Sequence, residues 1–283
     1  MQDNTEKGLV DWAQEWKKQL ISHNRVKNGL ECSSLWNSKD NAARYDERVK
    51  KSNWNKTIEQ NIRQMNISSN DRVLDIGSGP GSIAIPLSKM GCHVTAVEPA
   101  EGMMWCLQQN ILKDKIKTIS CVQKKWEDVD LVLDLDCPYD VVVASFSLGM
   151  PDILTAVEKM NESSCRYVYL FWHSGIPFWE KHYDALWKKL HGEDYEPTPK
   201  SSCLVNVLNQ MGIHPQVKTF CWETKYCFSN SNEILNYFKT NFQIETEKQK
   251  QLLQNYFLEI SYQRKNELIL KGSSEYEMIC WKK

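Results

Sequence analysis

The chain contains no apolar run that approaches the roughly 18 residues a membrane-spanning helix needs. Its first residues, Met1-Gln-Asp-Asn-Thr-Glu-Lys7, lack the basic-then-apolar pattern of a secretory signal. Both absences point to a cytoplasmic protein without a membrane partner. A formal net charge of −1 gives no electrostatic reason to expect nucleic acid. The ten cysteines include no Cys-x-x-Cys pair, and no Cys/His cluster has zinc spacing, so no metal site is expected. Without an export signal these are reduced thiols, most of them expected as small core residues. Repeats and low-complexity tails are missing too. What is abundant is tryptophan, eleven in all, and core filling is the simplest use for most of them.

The pattern of apolar residues divides the chain. Leu9, Trp12, Trp16 and Leu20 recur at three- and four-residue steps, which predicts a helix over 8–24. A second helix is expected over 39–51 after a Ser38 cap, and a third over 57–65. The middle then alternates in an α/β manner. Strands are predicted at 72–76, 93–97, 119–123, 139–145 and 166–172, with helices at 82–90, 100–112 and 152–160. Beyond Trp172 the alternation breaks. Trp179, Tyr183 and Trp187 mark a helix, 202–211 another, and 217–228 alternates like a strand. Helices follow at 232–242 and 247–260, and Tyr276–Trp281 reads as a final strand.

The segment Val73-Leu-Asp-Ile-Gly-Ser-Gly-Pro-Gly81 carries the most information. Val73, Leu74 and Ile76 suit a buried parallel strand. Gly77, Gly79 and Gly81 permit a tight turn and a close approach of backbone to a ligand at a helix N-terminus. Two cofactor classes use such a turn. The dinucleotide fingerprint requires Gly-x-Gly-x-x-Gly, but its sixth position here is Ser82. The glycines instead run Gly-x-Gly-x-Gly, with acidic Asp75 two places ahead.

These residues resemble class I S-adenosylmethionine-dependent methyltransferases. Asp75, Gly77, Gly79 and Gly81 match that family's first motif, and Glu98 in Val-Glu-Pro-Ala-Glu-Gly-Met matches its acidic residue after strand 2. The likeness continues through Trp126-Glu-Asp128 and Tyr139–Ser147, and spans about residues 40–172 plus the closing strand. It implies a Rossmann-like, doubly wound α/β fold. The sheet would be mostly parallel and seven-stranded with an antiparallel last strand, beneath a helical N-terminal cap and a lid after strand 5. The corresponding division is 1–70 cap, 71–172 cofactor core, 173–270 lid and 271–283 closing strand.

The resemblance also assigns roles. The turn faces the methionine part of S-adenosylmethionine, Asp75 meets its ammonium, and Glu98 accepts from the ribose hydroxyls. Pro99, next to Glu98, and Ser145, at the end of strand 4, are further cofactor-binding candidates. Met103 and Trp126 are candidates for the adenine wall, and Trp126 serves equally well as core. Where the family often has an acidic residue to bind the adenine amino group, this chain has Lys125, which cannot accept that bond. Glu127 is the substitute. Tyr45, in Ala-Arg-Tyr-Asp, resembles a tyrosine that covers the methionine end.

Methyl transfer from a sulfonium is an in-line displacement that needs positioning and exclusion of water more than a catalytic group. A base is required only where the acceptor loses a proton. His173, just past strand 5, is the candidate base; the other reading is a loop residue without a role. Strand 4 ends Ala-Ser-Phe-Ser-Leu148 and lacks the Asn-Pro-Pro-Tyr type of motif found in families that methylate amide or base nitrogens. A small-molecule acceptor is therefore expected. The alternatives are a protein or RNA acceptor, with a groove lined by Lys50, Lys51, Lys188 and Lys189, and a cofactor-binding protein without catalysis. Cys221 and Cys227 share one face of a regular strand, which raises the narrower variant of a thiol-handled acceptor.

Overall fold

The computed structural model describes residues 10–26, 32–51 and 54–283. One sheet organises them, in the order β3-β2-β1-β4-β5-β8-β6. Strands β1 (Arg72–Ile76), β2 (His93–Val97), β3 (Ile119–Val122), β4 (Tyr139–Ser145) and β5 (Ser164–His173) all pair in parallel. β8 (Glu267–Lys282) joins β5 antiparallel, and β6 (Gln216–Phe228) forms the edge, antiparallel to β8. A three-residue β7 (Tyr262–Arg264) pairs with the start of β8 and is an eighth strand that the sequence pattern did not announce.

The central strands form because their side chains are apolar on both faces, as a sheet covered on both sides demands. Val141, Val142, Val143 and Ala144 are all fully buried. One face packs Trp16 of α1 (Trp12–Val26), Ile153 of α6 (Ile153–Ser163) and Leu204 of α8 (Ser201–Gln210). The other packs Ile62 of α3 (Trp54–Gln64), Leu87 of α4 (Ala84–Lys89) and Leu107 of α5 (Glu101–Lys113). α2 (Lys39–Lys51) lies against α5. A side chain at Gly102 would meet the carbonyl oxygens of Trp36 and Ser38 at 2.5 and 2.7 Å, so the N-terminal helices dock on α5 through that glycine.

The sheet does not stop at its carboxyl edge. β5 ends at His173, opposite Tyr276, but β8 continues back to Glu267 and β6 runs beside it to Phe228. This two-stranded ribbon carries α7 (Phe178–His191), α9 (Ser231–Phe238) and α10 (Glu247–Ile260). Together they bury a second core that includes Tyr183, Trp187, Phe238, Phe242, Leu253 and Phe257.

Most predicted elements are present with ends moved by a few residues. The closing strand differs most: it begins at Glu267, nine residues before Tyr276. Its lower half, Lys271-Gly-Ser-Ser-Glu275, is polar and glycine-containing, and is held as strand by β6. Leu9, at the start of the first predicted helix, lies outside the described residues. The expectation of mainly buried cysteines is corrected: Cys92, Cys106 and Cys203 are buried, whereas Cys121, Cys165, Cys221 and Cys227 are exposed. Among the described residues, no helix is long and apolar enough to cross a membrane.

Candidate active site

The three glycines of the turn all adopt positive φ, for different reasons. A Cβ at Gly77 would lie 2.3 Å from that of Ser147, and one at Gly81 would strike Leu107 and Ile85. Those two positions are closed by packing. At Gly79 a Cβ would meet nothing within 4 Å. Its bareness keeps clear a space into which the turn's backbone faces.

Two buried carboxylates flank that space. Glu98, after β2, accepts from the Gly79 N–H at 2.9 Å with Oε2 and from the Ala100 N–H at 2.8 Å with Oε1. It therefore ties the glycine turn to the start of α5. Each oxygen keeps a second acceptor site for a ligand hydroxyl. Burial pushes its pKa up, against the pull of those two hydrogen bonds. Asp75, at the end of β1, is 2% exposed. Burial raises its pKa to about 7, opposed by a hydrogen bond from the Ala84 N–H and reinforced by the charge of Glu98. Its Oδ2 has no hydrogen-bond partner, and neither does Ser78 Oγ inside the turn. A buried carboxylate oxygen left unpaired beside a bare backbone cradle suits a cationic ligand group. The site thus fits a ligand that carries both a cationic group and hydroxyls, as S-adenosylmethionine does.

The other predicted residues distribute around this cradle. Met103 is buried with Ala42, Ala100 and Cys106, and Tyr45 and Trp36 pack against them. Tyr45 meets Trp36 edge-on at 5.0 Å, and the Arg48 guanidinium lies 5.3 Å from its ring. Pro99 and Ser145 are half-buried at the ends of β2 and β4. Trp126 belongs to the core: it is 2% exposed, and its indole N–H donates to the Ala156 carbonyl at 3.0 Å. Glu127 is exposed beside it.

His173 lies at the carboxyl end of β5, 7% exposed, within a cluster of rings. Its centroid is 4.8 Å from Phe146, 5.2 Å from Trp179, 5.6 Å from Trp172 and 5.7 Å from Trp222. Trp54 closes the group, 5.5 Å from Phe146 and 4.8 Å from Trp222. Burial lowers the His173 pKa to about 3, so the imidazole is neutral at physiological pH, and its Nδ1 lacks a partner. Phe146 holds a φ of 55°, a left-handed conformation rare for a bulky residue. Its N–H donates to the Phe171 carbonyl at 3.0 Å, and its ring turns into the cluster.

Sequence reasoning did not single out Ser147, whose Oγ donates to the Ile76 carbonyl at 2.6 Å and pins the end of β4 beneath the turn. Phe146, Trp54 and Trp222 were equally hidden, because only the fold brings α3, β4 and β6 together. Cys221 and Cys227 are exposed, on the face of β6 opposite buried Trp222. Lys50 pairs with Asp46 and Lys188 with Asp194, on separate helices, and Lys51's side chain lies outside the described residues. Among the described residues, no group of three or more His, Cys, Asp or Glu is placed to hold a metal ion.

Residues 73–163 match the family described as Methyltransferase domain. An uncharacterized protein of Haemophilus influenzae is 29% identical over 228 residues, covering 79% of this chain and 80% of that one. The solved structure of the Bacillus halodurans protein BH2331 superposes with a TM-score of 0.55 at 14% identity, over 80% of this chain and 97% of that one, a likeness of fold. A shorter stretch of 85 residues is 29% identical to a probable ribosomal RNA small subunit methyltransferase of Methanosphaera stadtmanae, 30% of this chain and 29% of that one. Residues 73–163 thus form a methyltransferase domain. In strand order, glycine turn and acidic pair, the chain resembles the class I S-adenosylmethionine-dependent methyltransferases.

Proposed function

We propose that this methyltransferase acts on a small, largely apolar acceptor, by direct in-line transfer beneath the lid. The observation that carries this reading is the ring cluster around His173. It occupies the carboxyl ends of β4 and β5, where ligands of open α/β sheets bind. The segment after β5, which has its own core, serves as a lid in this proposal. Aromatic walls with one unpaired polar atom suit a compact, mostly apolar ligand better than a polymer.

Asp75, Gly77, Gly79, Gly81 and Glu98 form the cofactor cradle in this proposal, with Pro99 and Ser145 at its rim. Tyr45 and Met103 border its far end. S-adenosylmethionine, when bound, supplies an electrophilic methyl group. The chain orients the acceptor against that methyl and excludes water. His173 Nδ1 accepts a hydrogen bond from the acceptor's O–H or N–H and takes up the proton as the new bond to carbon forms. Its low pKa keeps it neutral and ready, although it makes the proton transfer less favourable. Glu127 is the remaining candidate for the adenine amino group.

The 85-residue likeness to a probable ribosomal RNA small subunit methyltransferase leaves RNA as the second reading. One experiment separates the two. The protein is incubated with S-adenosylmethionine labelled in the methyl group and a fractionated cell extract. Label is expected in the low-molecular-mass fraction. Label in RNA or protein alone contradicts the small-molecule reading, and no label in any fraction contradicts catalysis.

A further inference from the structure

The outer edge of the sheet carries a pattern that the methyl-transfer site does not use. β6 is thirteen residues long and pairs only with β8, so its other edge presents unpaired backbone N–H and C=O groups among the described residues. Such an edge is a template for another strand unless it is blunted. Proline, a common blunting device, is missing from 216–228. The even residues Trp222 and Phe228 are buried on the inner face, whereas Thr219, Cys221, Glu223, Lys225 and Cys227 are all exposed on the outer one.

The charges on that outer face, Glu223 and Lys225 of β6 with Lys271, Glu275 and Glu277 of β8, form no opposite-charge pair directly across the ladder. Lys225 stands directly opposite Lys271 of β8, and Glu223 opposite Ser273. Like charges facing each other across a ladder are destabilising. Neither lysine has a carboxylate partner among the described residues, and Glu223 has no cation. We propose that β6 is a dimerisation edge that pairs antiparallel with β6 of a second copy, about a two-fold axis at Thr224. In that register Glu223 faces Lys225 of the second copy, twice over, so each Lys–Lys pair gains a carboxylate neighbour. Cys221 faces Cys227 of the second copy, also twice. A shift of the axis to Trp222 would set Thr219 against Lys225 and Cys221 against Glu223, so the charge match selects the register. The ribbon bears Trp222 on its inner face, so pairing would also steady the lid over the His173 cluster.

Lys225 alone has a competing explanation as an edge guard that keeps the protein monomeric. Light scattering on the full chain decides between them. The wild type is expected to elute as a dimer at micromolar concentration. Glu223→Lys, which places four lysines together, is expected to weaken dimerisation at least tenfold. Adding Lys225→Glu to that variant restores opposite charges and the dimer. A short bis-maleimide should link Cys221 of one copy to Cys227 of the other, identified by peptide mass. A monomeric wild type overturns the proposal. So does a dimer that Glu223→Lys leaves intact, or that the double exchange fails to restore.

Discussion

The two halves of the active edge are built by opposite means. Around β1 and β2 the structure is polar and local: a backbone turn, two buried carboxylates and a serine, all within or hydrogen-bonded to residues 75–100. Around β5 it is apolar and long-range: rings from α3, β4, β5, α7 and β6 enclose one neutral histidine. The first half has unpaired acceptor atoms waiting for donors. The second offers surfaces and a single nitrogen. Holding a charged cofactor calls for fixed dipoles in a desolvated place, whereas holding an apolar acceptor calls for area. On the proposed reading the two ligands are recognised independently, and substitutions should separate them.

The largest effect is expected at Gly79. Gly79→Arg puts a side chain into the open space before the turn, at a φ of 55° that side chains resist. S-adenosylmethionine binding should vanish in calorimetry while the circular dichroism of the fold persists. On the other side, His173→Phe keeps the ring packing and removes the nitrogen. Turnover should drop by about 10²–10⁴ if the acceptor must lose a proton. At saturating cofactor, turnover of the wild type should show no acidic limb near pH 6.5, because burial holds His173 neutral down to about 3.

Glu98→Ala should be milder. It removes the ribose acceptors, and roughly 1.5–3 kcal/mol per charge-assisted hydrogen bond predicts a loss of tenfold or more in cofactor affinity. Competition binding measures it. Asp75 gives the subtlest test. Its folded pKa of about 7 lies above the ordinary 3.8, so the folded state binds more protons between those values. That contribution to stability is complete below pH 3.8 and is lost as pH rises through 7. Asp75→Asn should remove this slope in thermal melts. Cofactor affinity in the wild type should rise over the same window, as the carboxylate ionises to meet the ammonium. An unchanged slope in the variant would assign the effect to another group.

The polar half was legible before any coordinates because its determinants are contiguous. Asp75, the three glycines and Glu98 lie within 24 residues, and each residue type has few substitutes there. Even so, sequence did not distinguish the closely packed glycines from the one that faces open space. The aromatic half was not legible. Trp54, Phe146 and Trp222 are separated by up to 168 positions, and a tryptophan that walls a site has the same periodicity as one that fills a core. Trp126 shows the ambiguity from the other side, being core despite its place in a family motif. The extent of the β6–β8 ribbon was hidden for a related reason. Lys271–Glu275 is strand only because β6 pairs with it, which is tertiary context overriding local propensity.

Independence of the two halves is most directly tested by titrating S-adenosylmethionine into His173→Phe in a calorimeter, beside the wild type. The account predicts an unchanged affinity in the variant, whatever its turnover. A loss of affinity as large as that of Glu98→Ala would contradict it, because the histidine would then be holding the cofactor.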